Sequence, residues 1–398
     1  MRTAIWLYLF LFVAFFDLHA QYPMLTPFAV SLGAAPSFIG LVMGMYSLTH
    51  LPGNLIAGFA VDRFGSRLFI AASLSGAGVL LLLQSQVSDP WHLLYIRSAS
   101  GFVLAFLSPA CLTLLARLAK NHIHQGKLMA GNGLVHTIAS VVSPAAGAWL
   151  AAELGFTQSF AVLGWILLIT GIGSLWFVRE PVAPLLADSP AASRKADSPA
   201  EAQALQEAAP GRVPWAVFLL PVAISCAQGV LAFELPLQAK SSDELLTTGL
   251  LFSIVSLGSL STLAMLFLQK YLPYARCIAA LALMALGYYA LAIGWPLPLS
   301  VMLFAVGMSK GIMFPAMTSF LLQLSGPSRF GRTFSYMSIA LSIGSFLGPV
   351  AAGAVREHMS PFFVSFAVLM LALAVLMPRA VYVQGWNPGA EPPPVAGH

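Results

Sequence analysis

Charged residues are scarce in this chain: Asp, Glu, Lys and Arg together make up 8% of its 398 residues. Water-soluble domains carry about a quarter of their residues as charges, so the scarcity excludes that class. Hydrophobic residues fill the space at 59%, and the mean hydropathy of +0.85 is that of a chain dissolved in lipid. Cysteine is just as sparse. Cys111, Cys226 and Cys277 fall in or at the ends of separate apolar runs, with neither paired nor metal-ligand spacing, which argues against a disulfide framework or a zinc site. They read as small packing residues. Also missing are HExxH and a phosphate-cradling P-loop, which argues against a zinc-dependent membrane enzyme and an ATP-driven pump. No cofactor and no metal are expected.

What the chain does have is one apolar run after another. A bilayer core of about 30 Å is crossed by about 20 apolar residues in a helix. Such runs fall at 5–29, 38–60, 67–87, 91–117, 128–152 and 157–178, and resume at 214–238, 247–270, 276–294, 297–324, 330–355 and 361–382. The break at Trp295-Pro296-Leu297-Pro298 is the weakest of the divisions. The runs are long and continuous rather than alternating every ten residues or so, which selects helices over a barrel. An all-α integral membrane protein with twelve transmembrane helices is the expected fold class.

Between the sixth and seventh runs, residues 179–213 are rich in Pro, Ala, Ser and charge and have no apolar periodicity. This reads as a flexible cytoplasmic linker between an N-terminal six-helix bundle, 1–178, and a C-terminal one, 214–382, with a disordered cytoplasmic tail at 383–398. Two similar halves are what a duplicated transporter requires. The basic residues gather at alternate breaks, among them Arg63, Arg67, Arg117, Lys127, Arg276 and Arg332, while Lys240 and Arg356 alone fall on the other side. The positive-inside rule then places both termini in the cytoplasm. That topology accounts for a pI near 9.2 and implies no nucleic-acid partner. The first run is long, carries Asp17 and lacks a small-residue cleavage site, so a retained helix is expected there rather than a signal peptide.

Each charge inside a span costs a few kcal/mol or more near the bilayer centre unless it meets protein or water. Four stand out: Asp17, Arg97, Glu234 and Lys310. At 1.5 Å per residue Asp17 lies about 18 Å along the first helix, and Arg97 lies about 21 Å from the same membrane face. The matching depths predict an Asp17–Arg97 ion pair, serving either to pin two helices or to face a water-filled cavity. Gln21 is one turn beyond Asp17 and shares its face, whereas His19 is rotated by about 200°, which makes it a helix-contact residue. Glu234 lies toward the outer end of the seventh span and Lys310 near the middle of the tenth. A carboxylate that alternates between dry and wet surroundings changes its proton affinity, so Glu234 and Asp17 are the candidate proton-coupling groups, with a satisfied helix-end carboxylate the alternative for Glu234. Arg97, Lys310, Gln21, His136 and Tyr336 are candidate substrate contacts or charge partners, with an interhelical hydrogen bond the alternative for His136.

The loop "GFAVDRFGSR", with Gly58, Asp62, Arg63, Gly65 and Arg67, resembles a signature of the major facilitator superfamily. Arg97 and Gly101 in "LYIRSASGFVLAFLSPA" resemble the fourth-helix arginine motif of that family. The fifth-span stretch "ASVVSPAAGAW" resembles its antiporter motif through Pro144 and Gly147, although Ala139, Ser143 and Ala148 stand where glycine is usual. "GSFLGPVAAG" repeats the theme in the eleventh span with Gly344, Gly348, Pro349 and Gly353. The resemblance covers nearly the whole chain outside the linker and is strongest to the twelve-helix drug:H⁺ antiporters of bacteria. It implies a monomer in the bacterial cytoplasmic (inner) membrane that meets a small-molecule substrate, protons and lipid, and exports drugs or metabolites by alternating access. "IGLVMGMYSLT" and "GMSKGIMFPAMTSFL" also look like exporters of opine-type metallophores, which leaves an anionic or zwitterionic metabolite as an alternative substrate. Uptake or another facilitator role, and a scaffold or receptor that transports nothing, are the remaining alternatives.

Overall fold

The computed structural model describes residues 2–119, 122–178, 214–239, 241–265, 270–325 and 330–376. The proposed linker lies outside these residues, as do Lys120, Lys240, Arg329 and the proposed tail. In lipid every backbone polar group must be satisfied within its own segment, and the described chain is accordingly helical: α1 (Arg2–Ser31), α2 (Pro36–Phe64), α3 (Ser66–Gln84), α4 (Pro90–Leu104), α5 (Leu107–Arg117), α6 (His122–Phe177), a 3₁₀ turn (Trp215–Phe218) that leads into α7 (Leu219–Leu237), α8 (Ser242–Leu263), α9 (Pro273–Ala292), α10 (Leu299–Ser325), α11 (Phe330–Val355) and α12 (Phe362–Leu376). Proline opens α2, α4 and α9, where its missing N–H is no loss. Asp89 caps α4 by accepting from the Trp91 N–H at 2.7 Å.

Nine helical segments among the described residues are long and apolar enough to cross a membrane. The longest, Lys127–Phe177, has 51 residues and would reach about 75 Å if straight, more than twice the hydrocarbon core. It is not straight: Gly155, at φ 80° and ψ 166°, breaks α6 into two crossings. With α2 and the shorter apolar α12, the described residues supply twelve helical crossings' worth of segments. That number is consistent with the twelve runs of the sequence, with two differences. The fourth span is divided into α4 and α5 at Ala105–Phe106, and the twelfth is described only to Leu376. The Trp295–Pro298 break separates α9 from α10, with Gly294 at φ 64° turning the chain.

The two halves pack by the same scheme. In the first, the 122–154 arm of α6 lies along α1, α4 crosses α2, and the later arm of α6 packs on α3; in the second, α11 lies along α7, α10 crosses α8 and α12 packs on α9. Bundle meets bundle along two seams, α2 with α11 and α6 with α8. Glycine permits the approach. A side chain at Gly40 would collide with the Pro349 backbone, one at Gly44 with Phe346, one at Gly353 with Pro36, and one at Gly249 with Pro144 and Ala148. Both seams lie toward the face that carries the α1–α2 turn, opposite the face of the 178–214 connection. Small residues in place of branched ones bring helices into van der Waals contact, which drives their association in lipid.

Candidate functional site

Between the bundles lies a cavity of about 770 Å³, within the range of small-molecule sites. Its wall runs from Leu25, Met43 and Phe252, near the glycine seams, to Asn132 and Leu263, toward the face of the 178–214 connection. Prolines 23 and 27 sit inside α1, one turn and two turns beyond His19, where backbone carbonyls lose their usual partners and helices bend.

The expected Asp17–Arg97 ion pair is replaced by a three-residue string. Gln21 donates its amide Nε2 to both Asp17 carboxylate oxygens, at 3.0 and 2.9 Å, and its Oε1 accepts from Arg97 Nη1 at 2.8 Å. The depths of the two charges agree, but the fourth helix stands far enough from the first that an amide fills the gap. Asp17, Gln21 and Arg97 are all buried, at 2%, 4% and 6% exposure, so each hydrogen bond substitutes for lost water and an unmade one would be costly. The Arg97 guanidinium also lies over the Tyr46 ring, 4.8 Å from its centroid, a cation–π contact in a desolvated setting. Its Nε has no partner. Gln21 and Arg97 reach the cavity wall, while Asp17 stays behind them.

His19 is on that wall too, which departs from the helix-contact role expected of it. Its Nδ1 is 2.7 Å from the Phe15 carbonyl oxygen; a carbonyl only accepts, so Nδ1 donates and Nε2 is left as an acceptor. Its ring stands edge-on to Tyr22 at 5.4 Å and to His136 at 5.3 Å. The helical rotation of His19 away from Asp17 is as expected, but the cavity wraps far enough around α1 to touch both faces. His136 lines the cavity and stands edge-on to Phe15 at 4.6 Å. Lys310 lines the facing side, from α10.

Glu234 is elsewhere. Its Oε2 accepts from Arg356 Nε at 2.9 Å, beyond the end of α11 and on the face of the seams, and it does not reach the cavity wall. Arg356 was visible in the sequence as an isolated outside cation, and its pairing with Glu234 needed only the α7–α11 contact to be known. Tyr336 is likewise away from the cavity. It packs against Trp215 at 5.2 Å and Phe218 at 5.7 Å, an aromatic group of the kind that settles at a membrane interface.

The motif residues divide by place. Gly101 and Gly147 each press on a neighbouring helix backbone, at Tyr46 of α2 and Ala20 of α1; Gly344 and Gly348 press on Val222 and Cys226 of α7. Pro349 is wedged between Gly229 of α7 and Gly40 of α2, and Pro144 faces Gly249 across the other seam. Gly65, at φ 90°, makes the turn between α2 and α3. Arg67 there donates to the Leu175 carbonyl at the end of α6, and Arg63 lies over the Phe64 ring at 5.3 Å. Gly58 faces open space. The Asp62 side chain lies outside what is described.

A family model described as Major Facilitator Superfamily matches residues 7–293. The multidrug resistance protein MdtG of Klebsiella pneumoniae (strain 342) is 24% identical over 397 residues, covering 96% of this chain and 92% of its own. Among solved structures, the nucleoside transporter NupG superposes with a TM-score of 0.70 at 15% identity over 96% of this chain and all of its own length. A POT family transporter in complex with a thioalcohol-conjugated peptide gives 0.71 at 11% identity, covering 96% of each chain.

Proposed function

The chain belongs to the major facilitator superfamily, and from that premise we propose that this secondary transporter exports small molecules across the bacterial cytoplasmic membrane by proton-coupled alternating access. The observation that carries the reading is the cavity between the bundles, shut toward one face by backbone-to-backbone seams and extending toward the other. Rocking the bundles about this central site would exchange the open face for the closed one. The family relative named for multidrug resistance supports small-molecule export as the direction of use. The basic residues near the 178–214 connection, Arg63, Arg67, Arg117 and Arg332, support a cytoplasmic placement of that face and of both termini. The bundles are then the 1–178 and 214–382 halves, joined by a cytoplasmic 179–213 linker.

Coupling would run through the Asp17–Gln21–Arg97 string. With Asp17 ionised, both its oxygens hold the Gln21 amide, and the amide oxygen in turn fixes Arg97 on the cavity wall. Protonation removes the charge and one acceptor, so Gln21 turns and Arg97 loses its brace. Substrate that uses a fixed Arg97 therefore favours the deprotonated carboxylate, and a proton favours release. That mutual exclusion is the linkage an antiporter needs. Glu234, paired with Arg356 on the opposite face, would receive the proton when that face opens.

Purified protein in liposomes with an imposed pH gradient tests this, using a cationic dye and a metal-chelating opine as substrates. Substrate-driven proton movement is expected in the native protein and absent in Asp17→Asn, with weakened movement in Glu234→Gln. Flux that ignores every pH gradient removes antiport, and movement that persists in both variants removes these carboxylates from the mechanism. No flux of any solute would leave a scaffold or receptor.

A further inference from the structure

Two cations look into the cavity, one from each bundle, with no carboxylate beside them on its wall among the described residues. Arg97 leaves α4 one turn before Gly101, where that helix lies on the α2 backbone; Lys310 leaves α10 beside Gly311, which lies on the α8 backbone at Ser259. The two helices correspond in the duplicated scheme. Arg97 is 6% exposed and its Nε has no partner. Lys310 makes no hydrogen bond or ion pair among the described residues. Of the two buried acids, Asp17 reaches Arg97 only through the neutral Gln21 amide, and Glu234 is paired with Arg356. Arg97 is offset only through the Gln21 amide, and half-buried Lys310 has no acidic partner among the described residues, so an anionic group would be favoured beside each.

We infer that the transported solute is a small organic dianion, one acidic group held by Arg97 and the other by Lys310, so that the solute itself bridges the bundles. This rests on the transport reading above. Arg97 offers a planar fork suited to a carboxylate, and Lys310 a compact ammonium. His19, with Nε2 free to accept, supplies a neutral contact for a hydroxyl or amine between the acidic ends. A monoanion satisfies one bundle only and gives no reason for the two to close on it. An apolar cation meets two like charges.

The test uses the full-length protein in detergent with four probes: glutarate and citrate as polyanions, butyrate as a monoanion, and tetraphenylphosphonium as an apolar cation. Equilibrium binding is expected to favour the polyanions over butyrate by about tenfold or more, the worth of one added charge-assisted hydrogen bond. Arg97→Gln and Lys310→Gln should each erase that preference, and Lys310→Arg, which keeps the charge, should retain most of it. Equal affinity for glutarate and butyrate, undiminished glutarate binding in Lys310→Gln, or binding of tetraphenylphosphonium alone would overturn the dianion site. So would binding of none of the polyanions. Counterflow of the preferred probe in proteoliposomes is read separately: binding with the expected preference but no counterflow tells against transport and leaves the site standing.

Discussion

At the scale of single residues, Gln21 is the one whose removal is most informative. Gln21→Ala leaves the Asp17 carboxylate and the Arg97 guanidinium each without its buried hydrogen-bond partner, so the variant should lose about 1–3 kcal/mol of stability, seen as a lower unfolding midpoint in detergent. Proton-coupled flux should fall with it even where the protein still folds. The Glu234–Arg356 pair behaves differently. The Arg356 side chain is 30% exposed and water screens it, so Glu234→Gln should cost less than about 1 kcal/mol in stability. A large loss of coupled flux in that variant would then report a step of the cycle rather than a folding defect, and unchanged flux would confine the pair to holding α7 against the end of α11. The sequence already marked Asp17, Gln21 and Arg97 through their cost in lipid and their common depth. It did not reveal that the amide stands between the charges, because that depends on interhelical spacing and rotamers. His19 shows the same limit: its helical angle was readable, but how far the cavity wraps around α1 was not.

Helices carry the next set of consequences. Gly348 and Gly58 both belong to motif stretches, yet a β-carbon at Gly348 runs into the Cys226 backbone while one at Gly58 meets nothing within 4 Å. Gly348→Val should therefore destabilise by about 1–3 kcal/mol or more, since backbone cannot yield as a flexible side chain would. Gly58→Ala should leave stability unchanged or raise it by up to about 1 kcal/mol, through helix propensity alone. Thermal unfolding of the purified variants separates the two, and equal losses would show that the α7–α11 contact does not hold the fold. Helix number and most boundaries were legible because lipid demands long apolar runs and each reversal demands a break. Even the turn inside α6 at Gly155 fell in the gap between the runs ending at 152 and starting at 157. The division of the fourth span at Ala105–Phe106 was hidden, since its residues are as apolar as those on either side.

Across the whole molecule, the cavity and the seams make one face accessible and the other shut. The three native cysteines are buried, so an introduced thiol can be read without background from an exposed one. Asn132→Cys, on the cavity wall toward the 178–214 connection, should react with a membrane-impermeant maleimide from that face and at least about tenfold more slowly from the other. Val42→Cys, fully buried close to the α2–α11 seam, should stay silent at rest and become reactive during turnover. Reaction of Val42→Cys at rest from the far face would show that the seam is open. The pairing of halves was legible in the repeated proline–glycine stretches, whereas the side on which they close required the backbone contacts themselves. Those contacts have an electrical consequence as well. Where helix backbone lies directly on helix backbone, no file of water remains for a hydronium ion to follow, so the closed seam works as an insulator under a membrane voltage. A bulky residue at Gly40 would hold the seam ajar, and the expected sign of it is a passive proton leak in liposomes with no solute present.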